Sequence, residues 1–230
     1  MKFGVIVFPG SNCDRDMATV TQGLLGVDTR MIWHQETDIS DIDIVIIPGG
    51  FSYGDYLRCG AIARFSAVMN SVIEHAQAGK KVLGICNGFQ ILTEVGLLPG
   101  ALIRNRDLHF ICDRVSIKVE RNDLDWTCNY QKNQIVTFPI AHGEGQYFAD
   151  ENIIKTLEDN HQVLFRYSSA TGEINEANNP NGSINNIAGI INEKGNVLGM
   201  MPHPERASDP AIGITDGRAM FAGLLAKVKV

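Results

Sequence analysis

The chain has 230 residues and a mass of 25.2 kDa, enough to bury a core of its own, so neither disulfides nor a structural metal is needed for folding. Hydrophobic residues at 44% and charged residues at 20% exclude a disordered or fibrous chain. Lys and Arg number 20 against 26 Asp and Glu, a net −6 with no basic run, which argues against nucleic acid or an anionic membrane as partner.

In chain order, residues 3–8 form an apolar run of strand length that ends at Pro9-Gly10, and they read as a first strand, not a signal peptide. A helix over 14–25 follows a Ser11-Asn12 turn. Strands come next at 30–34 and 42–47, the latter ending at Pro48-Gly49-Gly50. An amphipathic stretch from 60 to 77 closes at Gly79, then a strand over 81–85 runs directly into Cys86 and a helix over 87–95. Short apolar strands alternating with helices predict a parallel sheet covered on both faces. Beyond Ala101 the rhythm changes. Strands at 114–120, 134–140, 163–167, 187–191 and 197–201 leave little room for crossover helices, apart from helices at 150–157 and 216–229. The expectation is an α/β fold, an open and mostly parallel sheet with an antiparallel extension in the C-terminal half. No Pro- or Ser-rich linker divides the chain, and Asn181-Gly182 reads as a surface turn.

Five cysteines include no Cys-x-x-Cys pair, so a zinc knuckle and a thioredoxin-type redox pair are both excluded and no metal site is expected. Unpaired thiols predict a reducing, cytoplasmic setting. One of them stands apart. Gly84-Ile85-Cys86-Asn87-Gly88 follows a strand and opens a helix, the setting of a nucleophile elbow. Glycines two before and two after allow close passage of the neighbouring chain, and the helix points its first amides at the sulfur, an arrangement that favours the nucleophilic anion. Those amides also suit the oxyanion of a tetrahedral intermediate, the Asn87 N–H first. Cys13, Cys59, Cys112 and Cys128 lack this context and read as structural.

A thiolate needs a proton relay, and His203-Pro204-Glu205 offers one at the end of a strand. A carboxylate at i+2 in an extended segment reaches back to the imidazole and fixes its tautomer. Pro48-Gly49-Gly50-Phe51 ends a third strand at the same edge, where the Gly50 N–H is placed to donate to an oxyanion. Asp55 and Arg58 read either as an ion pair or as a partner contact, and His142-Gly143-Glu144-Gly145 as a surface turn. No Walker-type nucleotide motif is present.

Together Gly84-x-Cys86-x-Gly88-x-Gln90, Pro48-Gly49-Gly50 and His203-Pro204-Glu205 resemble the class I, triad-type glutamine amidotransferases. The longer strings Gly49 to Arg58, Cys86 to Leu92 and Gly199 to Arg206 are similar to the glutaminase-subunit family of phosphoribosylformylglycinamidine synthase. The resemblance implies one amidotransferase type-1 domain over residues 1–230 with a flavodoxin-like sheet. It implies that Cys86 attacks L-glutamine, that His203 protonates the departing ammonia and that Glu205 orients His203. Gly50 and Asn87 would form the oxyanion hole, with Gln90 and Phe51 on the substrate. It further implies no cofactor in this chain. The ammonia would go to a large PurL-type synthetase subunit, assembled with a small PurS-type one, that uses ATP and Mg to convert formylglycinamide ribonucleotide to formylglycinamidine ribonucleotide in purine biosynthesis. Alternatives within the same chemistry are a glutaminase subunit of another synthase and a free-standing γ-glutamyl cysteine hydrolase; outside it, a non-catalytic binding domain.

Overall fold

The structure, a computed structural model, describes residues 1–226. Its frame is a nine-stranded sheet in the order β2-β1-β3-β4-β11-β10-β9-β6-β7. The first five of these, β2 (Asp28–Trp33), β1 (Lys2–Val7), β3 (Ile44–Ile47), β4 (Lys81–Ile85) and β11 (Val197–Met200), run parallel. This is the doubly wound order, with ligand sites expected beyond the carboxyl ends of the strands. The remaining strands, β10 (Ile187–Ile191), β9 (Val163–Ser168), β6 (Ile111–Val119) and β7 (Ile135–His142), pair antiparallel. The expected parallel sheet and its C-terminal extension are both present.

The two halves bury their strands differently. Every residue of β3 and of β11 is buried, because helices cover both faces. In β7 the burial alternates strictly, so only one face meets the core. The helices are α1 (Asp14–Ala18), which continues as a π-helical turn over Thr19–Leu24, α2 (Ala67–Gln77), α3 (Asn87–Glu94), α4 (Glu151–Asp159) and α5 (Arg218–Ala226). The last part of the helix expected over 216–229 lies outside the described residues. Helix α2 starts later than its amphipathic pattern suggests, since Gly60 takes φ 80 and Ser66 is extended, leaving a 3-10 turn over Ala63–Phe65. A two-stranded sheet of β5 (Ala101–Ile103) and β8 (Gln146–Phe148) was not expected; each strand has three residues, too few to show a period. Among the described residues no helix is long and apolar enough to cross a membrane.

What matters for function is that β11 returns from the far end of the sequence to lie beside β4, with Gly199 opposite Gly84 and Met200 opposite Ile85. Both strands therefore end at one level, and the Cys86 N–H donates to the Met200 carbonyl at 2.8 Å. Helix α3 lies tightly on this pair. A Cβ on Gly88 would stand 2.0 Å from the Ile47 carbonyl oxygen, one on Gly84 2.7 Å from the Gly88 carbonyl, and one on Gly199, in the neighbouring strand, 2.2 Å from the Phe89 ring. The elbow glycines are thus packing requirements.

Candidate active site

Cys86 sits between β4 and α3 at φ 52 and ψ −107, a backbone conformation that costs a non-glycine residue on the order of 1–3 kcal/mol. The strand register and the clamp of α3 hold it there. As the first residue of α3, Asn87 has an N–H with no intrahelical partner. The thiol is buried at 5% exposure and lies 3.8 Å from the Ala141 carbonyl.

His203 follows β11 and is itself buried. Its N–H donates to the Pro139 carbonyl at 2.8 Å, and its Nδ1 meets Glu205 Oε1 at 2.5 Å. The carboxylate accepts there, which places the ring proton on Nδ1 and turns Nε2 toward the pocket. Burial by itself would lower the pKa of the ring. The negative charges of Glu205 and Cys86, and hydrogen bonding with Cys13 and Cys86, outweigh it and carry His203 well above the ordinary histidine range. The turn that presents it is locked from below: a Cβ on Gly217 would stand 1.9 Å from the Pro204 carbonyl oxygen, and the Ser208 hydroxyl donates to that same carbonyl at 2.7 Å.

These groups face a pocket of about 200 Å³ lined by Asn12, Cys13, Gly50, Phe51, Cys86, Phe110, Ala141, His203 and Arg206. Larger depressions exist elsewhere, such as one of about 460 Å³ among Glu120, Arg121 and Arg166, but they hold no comparable nucleophile. Gly50 takes φ 138 on the pocket wall, where a side chain would strike the Asn12 N–H. Phe51 and Phe110 stack with centroids 6.4 Å apart at the mouth.

Gln90 lies beneath the pocket and is not among its lining residues. Its Oε1 accepts from Asn87 Nδ2 at 2.8 Å and its Nε2 donates to the Glu144 carbonyl at 2.6 Å. The Asn87 side chain in turn accepts from the Ser52 N–H and donates to Asp55. This network anchors a strained loop in which Tyr53, Asp55 and Leu57 all have positive φ.

Several residues fall elsewhere than expected. Arg58 does not pair with Asp55; its guanidinium grips Glu94 at 2.6 and 2.7 Å. His142 is buried and no surface-turn residue: its Nδ1 donates to Asn105 Oδ1, whose amide is oriented by donating to the His109 and His142 carbonyls. Burial, then the charge of His203, lowers the His142 pKa to about 4. Asn181 is fully buried and donates to the Gly145 carbonyl at 2.8 Å, so its turn is interior. Cys112 is exposed and forms no part of a core. Cys13 lies in the pocket itself, with Arg206 Nη2 at 3.2 Å from its sulfur. Its place on the first βα loop, at the carboxyl edge of β1, was the available signal.

A profile of the CobB/CobQ-like glutamine amidotransferase domain matches residues 1–213. The phosphoribosylformylglycinamidine synthase subunit PurQ of Synechocystis sp. is 71% identical, covering 95% of this chain and 98% of its own. That of Acaryochloris marina is 68% identical over 98% and 96%. The chain belongs to the PurQ family of glutamine amidotransferases. As a member of the PurQ family it is an enzyme, and its fold matches a chain in the structure of PurLQS from Thermotoga maritima with a TM-score of 0.87 at 40% identity, covering 99% of both. A glutamine amidotransferase of Thermotoga maritima at 13% identity shares the fold, with a TM-score of 0.61.

Proposed function

We propose that Cys86, His203 and Glu205 are the catalytic triad with which this chain, the glutaminase subunit of a phosphoribosylformylglycinamidine synthase, hydrolyses L-glutamine to glutamate and ammonia. Cys86 Sγ attacks the side-chain amide carbon. The negative oxygen that forms is held by the Gly50 and Asn87 amides. His203 gives the Nε2 proton to the departing ammonia, leaving a γ-glutamyl thioester, and then takes a proton from the water that hydrolyses it. Glu205 keeps the imidazole in the tautomer and orientation both steps need. Phe51 flanks the substrate, and Gln90 acts on it from beneath through Asn87 and Glu144.

The observation that carries this reading is the His203 ring, held by Glu205 on one nitrogen and turned by the other toward the pocket that contains Cys86. Residues 1–230 act as one amidotransferase domain with no cofactor of its own. The ammonia passes to a PurL-type synthetase, in a complex that also contains a PurS-type subunit. That synthetase uses ATP and Mg to convert formylglycinamide ribonucleotide to formylglycinamidine ribonucleotide in the cytoplasm. Free ammonia is lost to solvent, so glutaminase turnover is expected to rise when the synthetase is bound. The test is glutamate release from glutamine by wild type and Cys86→Ser, with and without the synthetase. Turnover that survives the substitution overturns the assignment of Cys86, and equal rates with and without the partner overturn the coupling.

A further inference from the structure

We propose that Asn87 acts through its side chain as a positioning residue for the oxyanion hole, clamping the segment that carries Gly50 to the elbow that carries Cys86. The two amides assigned to the oxyanion come from different elements, Gly50 from the loop after β3 and Asn87 from the start of α3. Such a pair stabilises the developing charge only if its geometry is held to within about 0.5 Å. Beyond Gly50 the chain is held from two sides. The Phe51 and Tyr53 N–H groups donate to the Gly10 and Pro9 carbonyls, on the loop after β1, at 3.0 and 2.6 Å. The Ser52 N–H between them turns the other way and donates to Asn87 Oδ1 at 3.1 Å.

The orientation of the Asn87 amide is forced from both ends. A backbone N–H can only donate and a backbone carbonyl can only accept. Ser52 therefore requires Oδ1, and Nδ2 donates its two hydrogens to Gln90 Oε1 at 2.8 Å and to Asp55 Oδ1 at 3.2 Å. Gln90 is fixed in the same sense, because its Nε2 donates to the Glu144 carbonyl at 2.6 Å. Both side chains are buried, so turning either amide over would set donor against donor and acceptor against acceptor out of reach of water. Asp55 ties down a segment in which Tyr53, Asp55 and Leu57 all hold positive φ. Such conformations persist only where neighbours impose them. Without the clamp the segment relaxes, and Gly50 shifts with it.

The consequence is specific to the transition state. The amide oxygen of bound glutamine becomes an anion only after the sulfur attacks, so a loosened hole costs turnover more than substrate affinity. Gln90 then contributes by orienting Asn87, with no contact of its own to the substrate. The clamp rests on the function proposed above, since it serves an oxyanion that only acyl transfer creates.

The experiment uses the full chain and measures two rates: glutamate release, and alkylation of Cys86 by iodoacetamide, a displacement at a saturated carbon that needs no oxyanion hole. Asn87→Ala is expected to lower kcat by about 10²- to 10³-fold, with KM and the alkylation rate close to wild type. Gln90→Ala is expected to lower kcat by less, and to add nothing when combined with Asn87→Ala, as two residues acting as one unit should. If Asn87→Ala does not fold, Asp55→Ala opens the clamp from the loop side. Asp55→Asn, which keeps an acceptor for Nδ2, is then expected to recover the lost turnover. A kcat close to wild type in folded Asn87→Ala overturns the clamp, and so do losses that add in the double variant. Slowed alkylation overturns it too, by placing the damage at the sulfur. Glutamate release that survives Cys86→Ser overturns instead the function on which the clamp rests.

Discussion

The parallel and antiparallel halves of the sheet are sealed in different ways, and the site draws on both. Strands β3, β4 and β11 are covered on two faces, and their register sets the positions of Cys86 and His203 to within a residue. Strands β6 and β7 present one face to the core, with the end of β7 lining the pocket through Ala141 and burying His142 next to it in the chain. The parallel half fixes where the reacting groups stand. The antiparallel half sets the polarity behind them: His142 is kept neutral, Asn105 is saturated on all its bonds, and Asn181 ties the loop that carries Glu144. One half is rigid because side chains interlock, the other because buried polar groups have few alternatives.

The comparison breaks most sharply at the nucleophile. Cys86→Ala is expected to lower glutamate release by on the order of 10⁶, with a denaturation midpoint close to wild type, since the strained conformation is imposed from outside the residue. A large loss of stability would mean that the thiol, not the α3 clamp, holds the elbow. Glu205→Gln comes next, at on the order of 10⁴ in turnover, because the ring loses the carboxylate charge and an amide can donate to Nδ1, favouring the other tautomer; a change confined to KM would reject that role. Third is packing. Gly88→Ala is expected to cost upward of about 4 kcal/mol in urea unfolding, since a new methyl meets the Ile47 carbonyl. Gly195→Ala, whose Cβ would find the nearest atom at 3.7 Å, is expected to cost about 1 kcal/mol from its φ of 75 alone. Equal costs would erase the distinction between interlocked and open surroundings.

The same distinction explains what the sequence reveals. Unbroken apolar runs such as Ile44–Ile47 and residues 82–85 are legible because burial on both faces leaves no polar residue to interrupt them. The expected parallel order then brings Cys86 and His203 to one edge across 117 positions of sequence, a consequence of topology alone. The first half of β6 is hidden, because Cys112, Asp113 and Arg114 are exposed and carry no alternation. Strand identity there comes from pairing with β7, which no local pattern reports. His142 and Asn181 mislead for a related reason. Polar residues next to glycines read as solvated turns, and only the folded chain shows their partners buried with them. Cys13 is missed because no spacing links it to Cys86; the two meet through β1 and β4, with β3 between them.

The last effect is read against pH, on the histidine next to Ala141. Burial lowers the His142 pKa to about 4 in the folded protein, against about 6.5 in the unfolded chain. Between those values the unfolded state binds the extra proton, so stability rises with pH across the window. The contribution is full above about pH 6.5 and is lost as the pH falls toward 4, amounting to about 3 kcal/mol. His203 shifts the opposite way, so its contribution is already complete below about 6.5 and is lost only on the alkaline side, as the pH passes its raised folded value. The acid window therefore isolates His142 from the catalytic ring. His142→Gln, which keeps an N–H donor for Asn105 and cannot ionise, is expected to flatten urea-unfolding stability between pH 6.5 and 4 by that amount. An unchanged slope would show that this end of β7 tolerates a charge, and that its polarity is not what separates the two halves.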